Sequence, residues 1–327
     1  MRDNFRWGVI GTGGIAKQFA NDLKNTSNQS VVAVGSRTME KAENFGREFS
    51  AIPYGSYEEL VQSDVDAIYV ATPHSAHAEN AILALEAKKP VLVEKPFAVN
   101  AKEARMMIEA SQRNQTPLME AMWSRFLPHY KLVRESISNG EIGEIVAIYA
   151  DHGQSLPADP YYRLHAPELA GGALLDLGIY PISLTHLILG NPDQIIAASD
   201  FTPSGVDANT SMIFTYLNGA HALLSTTLLI RTPTTATIVG TKGKIEIFGS
   251  FYSPTSLRIT NGAESREYKN EYKGHGLREQ AIAFELLVRE SKLESPLMTQ
   301  KASLEIMEIM DEVRKQIGLK YPFESAF

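Results

Sequence analysis

The sequence predicts an α/β domain followed by an α+β domain built on a large, mainly antiparallel sheet. Three observations lead there. Up to about residue 122, short apolar runs alternate with amphipathic segments, the signature of βαβ units and a parallel sheet covered on both faces. A glycine-rich turn, WGVIGTGGIA, joins the first apolar run to the first amphipathic segment. Further on, β-branched runs are separated by short turn dipeptides, which are hairpin signals.

In order, residues 7–10 read as a strand, 15–23 as a helix and 31–35 as a second strand. Thr38 is a suitable N-cap for a helix over 39–49. Ser56 and Glu59 have capping-box spacing ahead of a short helix. A strand at 67–71, a helix at 76–87 and a strand at 91–94 follow. Asn100 with Glu103 caps a helix at 101–113, and a strand at 118–122 closes the series. After a helix near 129–138 come the hairpin signals Asn218-Gly219, Lys242-Gly243 and Asn261-Gly262. Helices near 279–289 and 303–316 end the chain. The expected domains are 1–122, binding a dinucleotide, and 123–327, binding substrate.

Composition narrows the function classes. The chain has 327 residues, enough for two cores, with 21% charged residues and a net charge of −7. No stripe of Lys and Arg favours a nucleic acid or an anionic membrane. The absence of cysteine excludes thiol catalysis and thiolate metal ligands, and no metal site is expected. No apolar run reaches the roughly 20 residues of a membrane span, and no secretory leader precedes residue 7, so a cytoplasmic protein is expected.

The glycine turn is the first candidate site. Gly11, Gly13 and Ala16 form G-x-G-x-x-A between a strand and a helix, the dinucleotide fingerprint of a Rossmann domain. Gly11 permits the turn, Gly13 allows a pyrophosphate close approach, and the helix N-terminus offers free N–H groups from the stretch Thr12, Gly13, Gly14, Ile15. At the end of the second strand, where an acid would hold the ribose of NAD, stand Ser36 and Arg37. A hydroxyl and a guanidinium suit a 2′-phosphate, which predicts NADP over NAD. Thr72 and Pro73 end the strand at 67–71 and are expected at the cofactor, with His74 and His77 able to line the same crevice.

The stretch PVLVEKPF closes an apolar strand with Glu94 and Lys95. Pro96 biases Lys95 toward an extended conformation, and strand C-termini face the crevice, so Lys95 is a catalytic candidate and Glu94 a cofactor or backbone partner. Residues 168–190, the second candidate segment, read as an apolar helix that carries Asp176 and Tyr180 at i and i+4, on one face. A buried Tyr–Asp hydrogen bond with no catalytic role is the bland alternative.

Together, the glycine loop, the EKP of 94–96 and GGALLDLGIYP of 171–181 resemble the Gfo/Idh/MocA oxidoreductases. MEAMWSRFLP (119–128), YYRL (161–164) and IMEIMDEVRKQIGLKYP (306–322) are similar to the branch of dimeric dihydrodiol and NADP-dependent xylose dehydrogenases. The resemblance implies that Lys95 contacts cofactor and substrate hydroxyl, that Tyr180 is the acid/base, and that Asp176 accompanies it one helical turn earlier. It implies further that Trp123 and Arg125 border nicotinamide and substrate, that Arg163 of YYRL reaches the substrate, and that an open-faced sheet in the second domain makes a homodimer or higher oligomer. One departure falls in RLHAPELAGG, where His165, Ala166 and Ala170 stand in a loop expected to border the substrate.

The expected function is hydride transfer between NADP and a hydroxyl or carbonyl carbon of a small sugar-like or vicinal-diol substrate. A phenol near pKa ~10 needs help to accept a proton at neutral pH, and a nearby Lys⁺ provides it. Competing readings are a catalytically idle NADP-binding sensor and NAD-assisted glycoside or elimination chemistry.

Overall fold

The computed structural model describes residues 4–26, 28–157, 159 and 162–324. It divides into two compact units, Met1–Phe126 with Gly274–Leu304, and Leu127–Lys273 with Glu305–Phe327.

The first unit carries β1 (Phe5–Ile10), α1 (Gly14–Leu23), β2 (Gln29–Gly35), α2 (Met39–Phe49), β3 (Ile52–Tyr54), α3 (Tyr57–Val61), β4 (Ala67–Val70), α4 (His77–Glu86), β5 (Val91–Glu94), α5 (Ala101–Asn114) and β6 (Leu118–Ala121). The strands form one parallel sheet in the order β3-β2-β1-β4-β5-β6, a doubly wound sheet whose direction reverses beside β1. Strands β4 and β5 are buried throughout, as parallel strands with helices on both faces must be. Trp7 is fully buried against Phe19 and Phe284, and its indole N–H donates to Gln29 Oε1 at 2.9 Å.

The second unit contains α6 (Pro128–Ser138), β7 (Ile145–Gly153), a π-helical turn (Leu174–Gly178) that runs into α7 (Ile179–Leu189), β8 (Gln194–Phe201), β9 (Asp207–Thr215), β10 (His221–Thr227), β11 (Ala236–Gly240), β12 (Gly243–Ile247), β13 (Leu257–Asn261) and β14 (Glu264–Tyr268). These strands make an eight-stranded sheet, β14-β13-β12-β11-β7-β10-β9-β8, antiparallel except between β7 and β10. Alternate residues face the covering helix and the other face is open. On that open face Tyr149, Leu223, Ile213 and Ile196 lie in register across four strands and are 49%, 42%, 40% and 58% exposed.

Three expectations need correction. The first is the domain division, because residues 274–304, including α8 (Leu277–Arg289), belong to the first unit. The buried carboxylate of Asp22 explains the return: it accepts the N–H groups of His275, Gly276 and Arg278 at 3.1, 3.0 and 2.9 Å and so caps α8. α9 (Gln300–Ile317) follows. The second is the helix expected from residue 168, which starts later. Ala170 and Gly172 adopt left-handed φ of 56° and 116°, and regular structure begins at Leu174. The third is the absence of a long apolar run: Pro167–Leu189 is long and apolar enough to span a bilayer, but 78% of its apolar 18-residue window is buried within the fold. A helix apolar all round is a core helix when the protein itself covers it.

Candidate active site

The chemistry-bearing residues fall into two groups, one in each unit.

In the first unit, Gly11 has φ 106°, and a Cβ there would come within 2.7 Å of the Ala71 carbonyl, so the turn requires glycine. A Cβ on Gly13 or Gly14 would meet nothing within 4 Å, leaving the approach to the α1 N-terminus open. No side chain caps that terminus, so its first N–H groups remain available to an anion. Ala16 is fully buried beneath. A cavity of about 630 Å³ runs from Gly11, Thr12 and Gly13 to Ser36 and Arg37 at one end and Thr72 and Pro73 at the other. Lys17, Lys41, Asn44 and Tyr57 also line it, and among the described residues no carboxylate does. Ile15 is half-buried on the first turn of α1. The Thr72 hydroxyl, buried on the wall, has no hydrogen-bond partner among the described residues. Free helix N–H groups, an orphaned hydroxyl and an acid-free cationic end fit a phosphorylated dinucleotide.

The EKP corner is held on every side. Glu94 is buried and accepts a short hydrogen bond from the Tyr69 phenol. The Lys95–Pro96 peptide is cis. The Phe97 N–H donates to Glu120 Oε1 at 3.1 Å. Burial pushes the Glu120 carboxyl up to about 7, although Ser303 and Arg125 act in the opposite direction. From 91 to 100 every residue is buried except Lys95, which is half-exposed. The scaffold therefore fixes the backbone, and Lys95 is the one side chain of the stretch that is not fully buried.

One cofactor expectation changes. His77 is fully buried, with its ring nitrogens 2.8 Å from the Pro96 carbonyl and 3.0 Å from the Thr72 carbonyl. Burial and the neighbouring His74 hold its pKa down at about 3, so the neutral ring donates to one carbonyl at a time. It ties the loop after β4 to the loop after β5 and presents no nitrogen to a ligand. Arg125 is buried, donates to the Leu297 carbonyl at 3.5 Å and acts electrostatically on Glu120. Trp123 is buried and stacks on His275 at 5.1 Å. His74 is buried beside His77 at 5.7 Å between ring centroids.

In the second unit, the π turn carries Asp176 and α7 carries Tyr180, both 6% exposed. Arg163 donates to Asp176 Oδ1 at 3.2 Å; Tyr161 of the same YYRL stretch lies outside the described residues. The Tyr180 ring stacks on Tyr252 at 4.3 Å, and His152 packs against both at 5.4 and 4.4 Å. His152 Nδ1 faces the Leu177 carbonyl at 3.1 Å and must donate to it, which leaves Nε2 to accept from the Gln154 amide at 3.0 Å. Gln154 also reaches the Tyr252 hydroxyl at 3.5 Å. Burial, reinforced by the Asp176 charge, pushes the Tyr252 phenol up, so it stays protonated. His152, Gln154 and Tyr252 are absent from the sequence expectations. His152 and Gln154 stand two apart at the end of β7, the period of one strand face, a faint signal; Tyr252 sits in a loop and offers none.

Comparison with known proteins places these groups in context. Residues 5–122 match the family model described as oxidoreductase family, NAD-binding Rossmann fold, and residues 130–246 match the GFO/IDH/MocA C-terminal domain. The chain is 36% identical to the D-xylose 1-dehydrogenase (NADP(+)) of Hypocrea jecorina, covering 97% of this chain and 93% of that protein. It is 37% identical to the trans-1,2-dihydrobenzene-1,2-diol dehydrogenase of Xenopus laevis, covering 97% and 99%. A 3-ketoreductase from Actinomadura kijaniata, solved with NADP and TDP-benzene, superposes with a TM-score of 0.85 at 26% identity over 96% of this chain and 98% of that one.

Proposed function

Because the chain belongs to the Gfo/Idh/MocA family of NAD(P)-dependent oxidoreductases, we propose that it is an NADP-dependent dehydrogenase acting on a CH–OH group of a small sugar-like or vicinal-diol substrate. The observation that carries the reading is the EKP corner, a fully anchored backbone with Lys95 as its single partly exposed side chain. No observation favours a catalytically idle sensor.

NADP supplies a hydride acceptor when bound, or a donor in the reverse direction. Gly11, Thr12, Gly13, Gly14 and Ile15 would hold its pyrophosphate at the α1 N-terminus, Ser36 and Arg37 with Lys41 its 2′-phosphate, and Thr72 and Pro73 the far end of the cavity. Hydride leaves a carbinol carbon only as the hydroxyl proton departs. Tyr180 takes that proton as phenolate. Lys95, cationic, polarises the substrate oxygen and favours the phenolate, the same charge effect that lowers any acid's pKa. Asp176, aligned by Arg163, orients the substrate by accepting from a second hydroxyl. In carbonyl reduction the roles reverse and Tyr180 is the acid. Trp123 is retained as a wall of the substrate site.

We propose further that the chain is a cytoplasmic homodimer, or a higher homo-oligomer, joined through the open sheet face. A row of four in-register apolar residues, Tyr149, Leu223, Ile213 and Ile196, supports that pairing, because exposed apolar patches of this kind mark association surfaces. Sedimentation of the intact protein checks the oligomer, with a monomer at micromolar concentration counting against it. The functional test is NADP⁺ reduction across aldoses, polyols and trans-diols. Turnover of at least one class with NADP⁺ is expected, and a complete lack of turnover across all three contradicts the reading.

A further inference from the structure

The helix that bears Asp176 and Tyr180 begins in an unusual way. Its first N–H groups have no intrahelical carbonyls to bond. The N–H of Leu174 instead donates to Oδ2 of Asp207, 2.7 Å away, a residue at the start of β9 and fully buried. The Thr210 hydroxyl donates to the same oxygen at 2.9 Å. The other oxygen, Oδ1, lies against Gly172, where a Cβ would come within 2.1 Å of it. The loop before the helix therefore needs glycine at 172 to admit this carboxylate.

A second clamp grips the same loop. The Tyr321 phenol, buried near the end of the chain, donates to the Gly171 carbonyl at 2.6 Å. Arg314 lies 4.7 Å over the Tyr321 ring, and pairs with Asp311 at 3.3 Å and with Glu324. Glu324 accepts the Tyr321 N–H at 3.1 Å. Arg314 also acts on Asp207 electrostatically. Two buried polar anchors, one from β9 and one from the C-terminal tail, thus converge on residues 171–174, immediately ahead of Asp176. Burial pushes the Asp207 carboxyl up to about 6 even with Arg314 nearby, so the charge sits there at a cost to stability. Well-packed apolar side chains would fill the space more cheaply.

We infer that Asp207 and Tyr321 are positioning residues, which fix the start of this helix and thereby the placement of Asp176 and Tyr180. The inference rests on Tyr180 being the acid/base. A displacement of about 1 Å at a reacting group can cost about 10²-fold in rate, so losing one of two anchors is expected to cost about tenfold.

The test uses Asp207→Ala and Tyr321→Phe, each alone and combined with Tyr180→Phe, in the full-length enzyme. Turnover, substrate KM, NADPH affinity and the thermal midpoint are measured. Each single variant should lose about tenfold in kcat while NADPH affinity holds, and the loss should shrink to about threefold or less in the Tyr180→Phe background, because only Asp176 is then left to position. Asp207→Asn, which keeps an acceptor for the Leu174 N–H, should recover most of the rate. Equal fold losses in both backgrounds overturn the inference, as does wild-type kcat in the single variants. If Asp207→Ala does not fold, Tyr321→Phe decides on the same criteria. Should Tyr180→Phe alone retain full turnover, the acid/base reading falls and this inference falls with it; a failure confined to the combined variants removes only the inference.

Discussion

Cofactor choice gives the sharpest quantitative prediction. In the proposed reading the 2′-phosphate meets Ser36, Arg37 and Lys41 at an end of the cavity that no carboxylate lines. Arg37 is exposed, so its interaction is screened and lies at the low end of the range for charge-assisted hydrogen bonds, about 1.5–2 kcal/mol. Replacing it in Arg37→Ala removes that amount from NADP binding and almost nothing from NAD binding. With about 1.4 kcal/mol per factor of ten, the ratio of kcat/KM for NADP⁺ over NAD⁺ should fall about 10- to 30-fold. Lys41 remains in the variant, so some preference survives. The assay measures both cofactors at saturating substrate and at two salt concentrations. The wild-type ratio should shrink at high salt, and the variant's ratio should respond less. An unchanged ratio in Arg37→Ala, or equal kcat/KM for both cofactors in the wild type, would refute the assignment of the 2′-phosphate to this end of the cavity.

Further predictions concern Lys95 and two side chains that the fold holds around the proposed site, Glu120 and Tyr252. Lys95→Met should lower kcat by about 10²-fold with NADP affinity held within a few-fold, since the anchored corner survives without the ammonium; steady-state kinetics with cofactor titration checks both. Glu120→Gln should change the pH dependence of stability. The wild-type carboxyl has its folded pKa raised from 4.5 to about 7, so its contribution is fully present below pH 4.5 and is lost as pH rises through about 7. The variant lacks that loss and should gain on the wild type by on the order of 3 kcal/mol between those limits, as read by denaturant unfolding. A constant difference across that range would sink the buried-carboxyl account. Tyr252→Ala should cost about threefold to tenfold in kcat through the lost ring stack, while Tyr252→Phe, which keeps the ring, should cost less.

Much of this site was legible because local chain geometry dictates it. A strand, a tight turn and a helix N-terminus need no distant partner, so G-x-G-x-x-A and the residues after β2 mark the lining of the cavity beside α1 from spacing alone. Lys95 stands out in the sequence because an apolar strand ending in a charge is anomalous. What surrounds these residues was not legible, because it depends on side chains brought together from far apart in sequence. The partner of Glu94 is Tyr69, and the partners of His77 are two carbonyls; no pattern within either stretch announces them. His77 looked like a ligand residue because a histidine at a loop–helix junction reads the same whether its ring faces solvent or a carbonyl. The helix start moved from 168 to Leu174 because Ala170 and Gly172 take left-handed φ, which alanine seldom does and sequence seldom betrays. The return of residues 274–304 to the first unit hinges on Asp22, an acid that reads as the solvent face of α1 until its three N–H partners are seen.

In the proposed reading, Tyr180 exchanges the substrate proton during NADP-dependent hydride transfer. NADP⁺ reduction by Tyr180→Phe beside the wild type tests this, with the aldoses, polyols and trans-diols of the substrate screen and with cofactor affinity measured in parallel. Removing one oxygen should cut turnover on any accepted substrate by about 10²-fold or more and leave NADP affinity unchanged. Undiminished turnover in the folded, cofactor-binding variant would contradict the account.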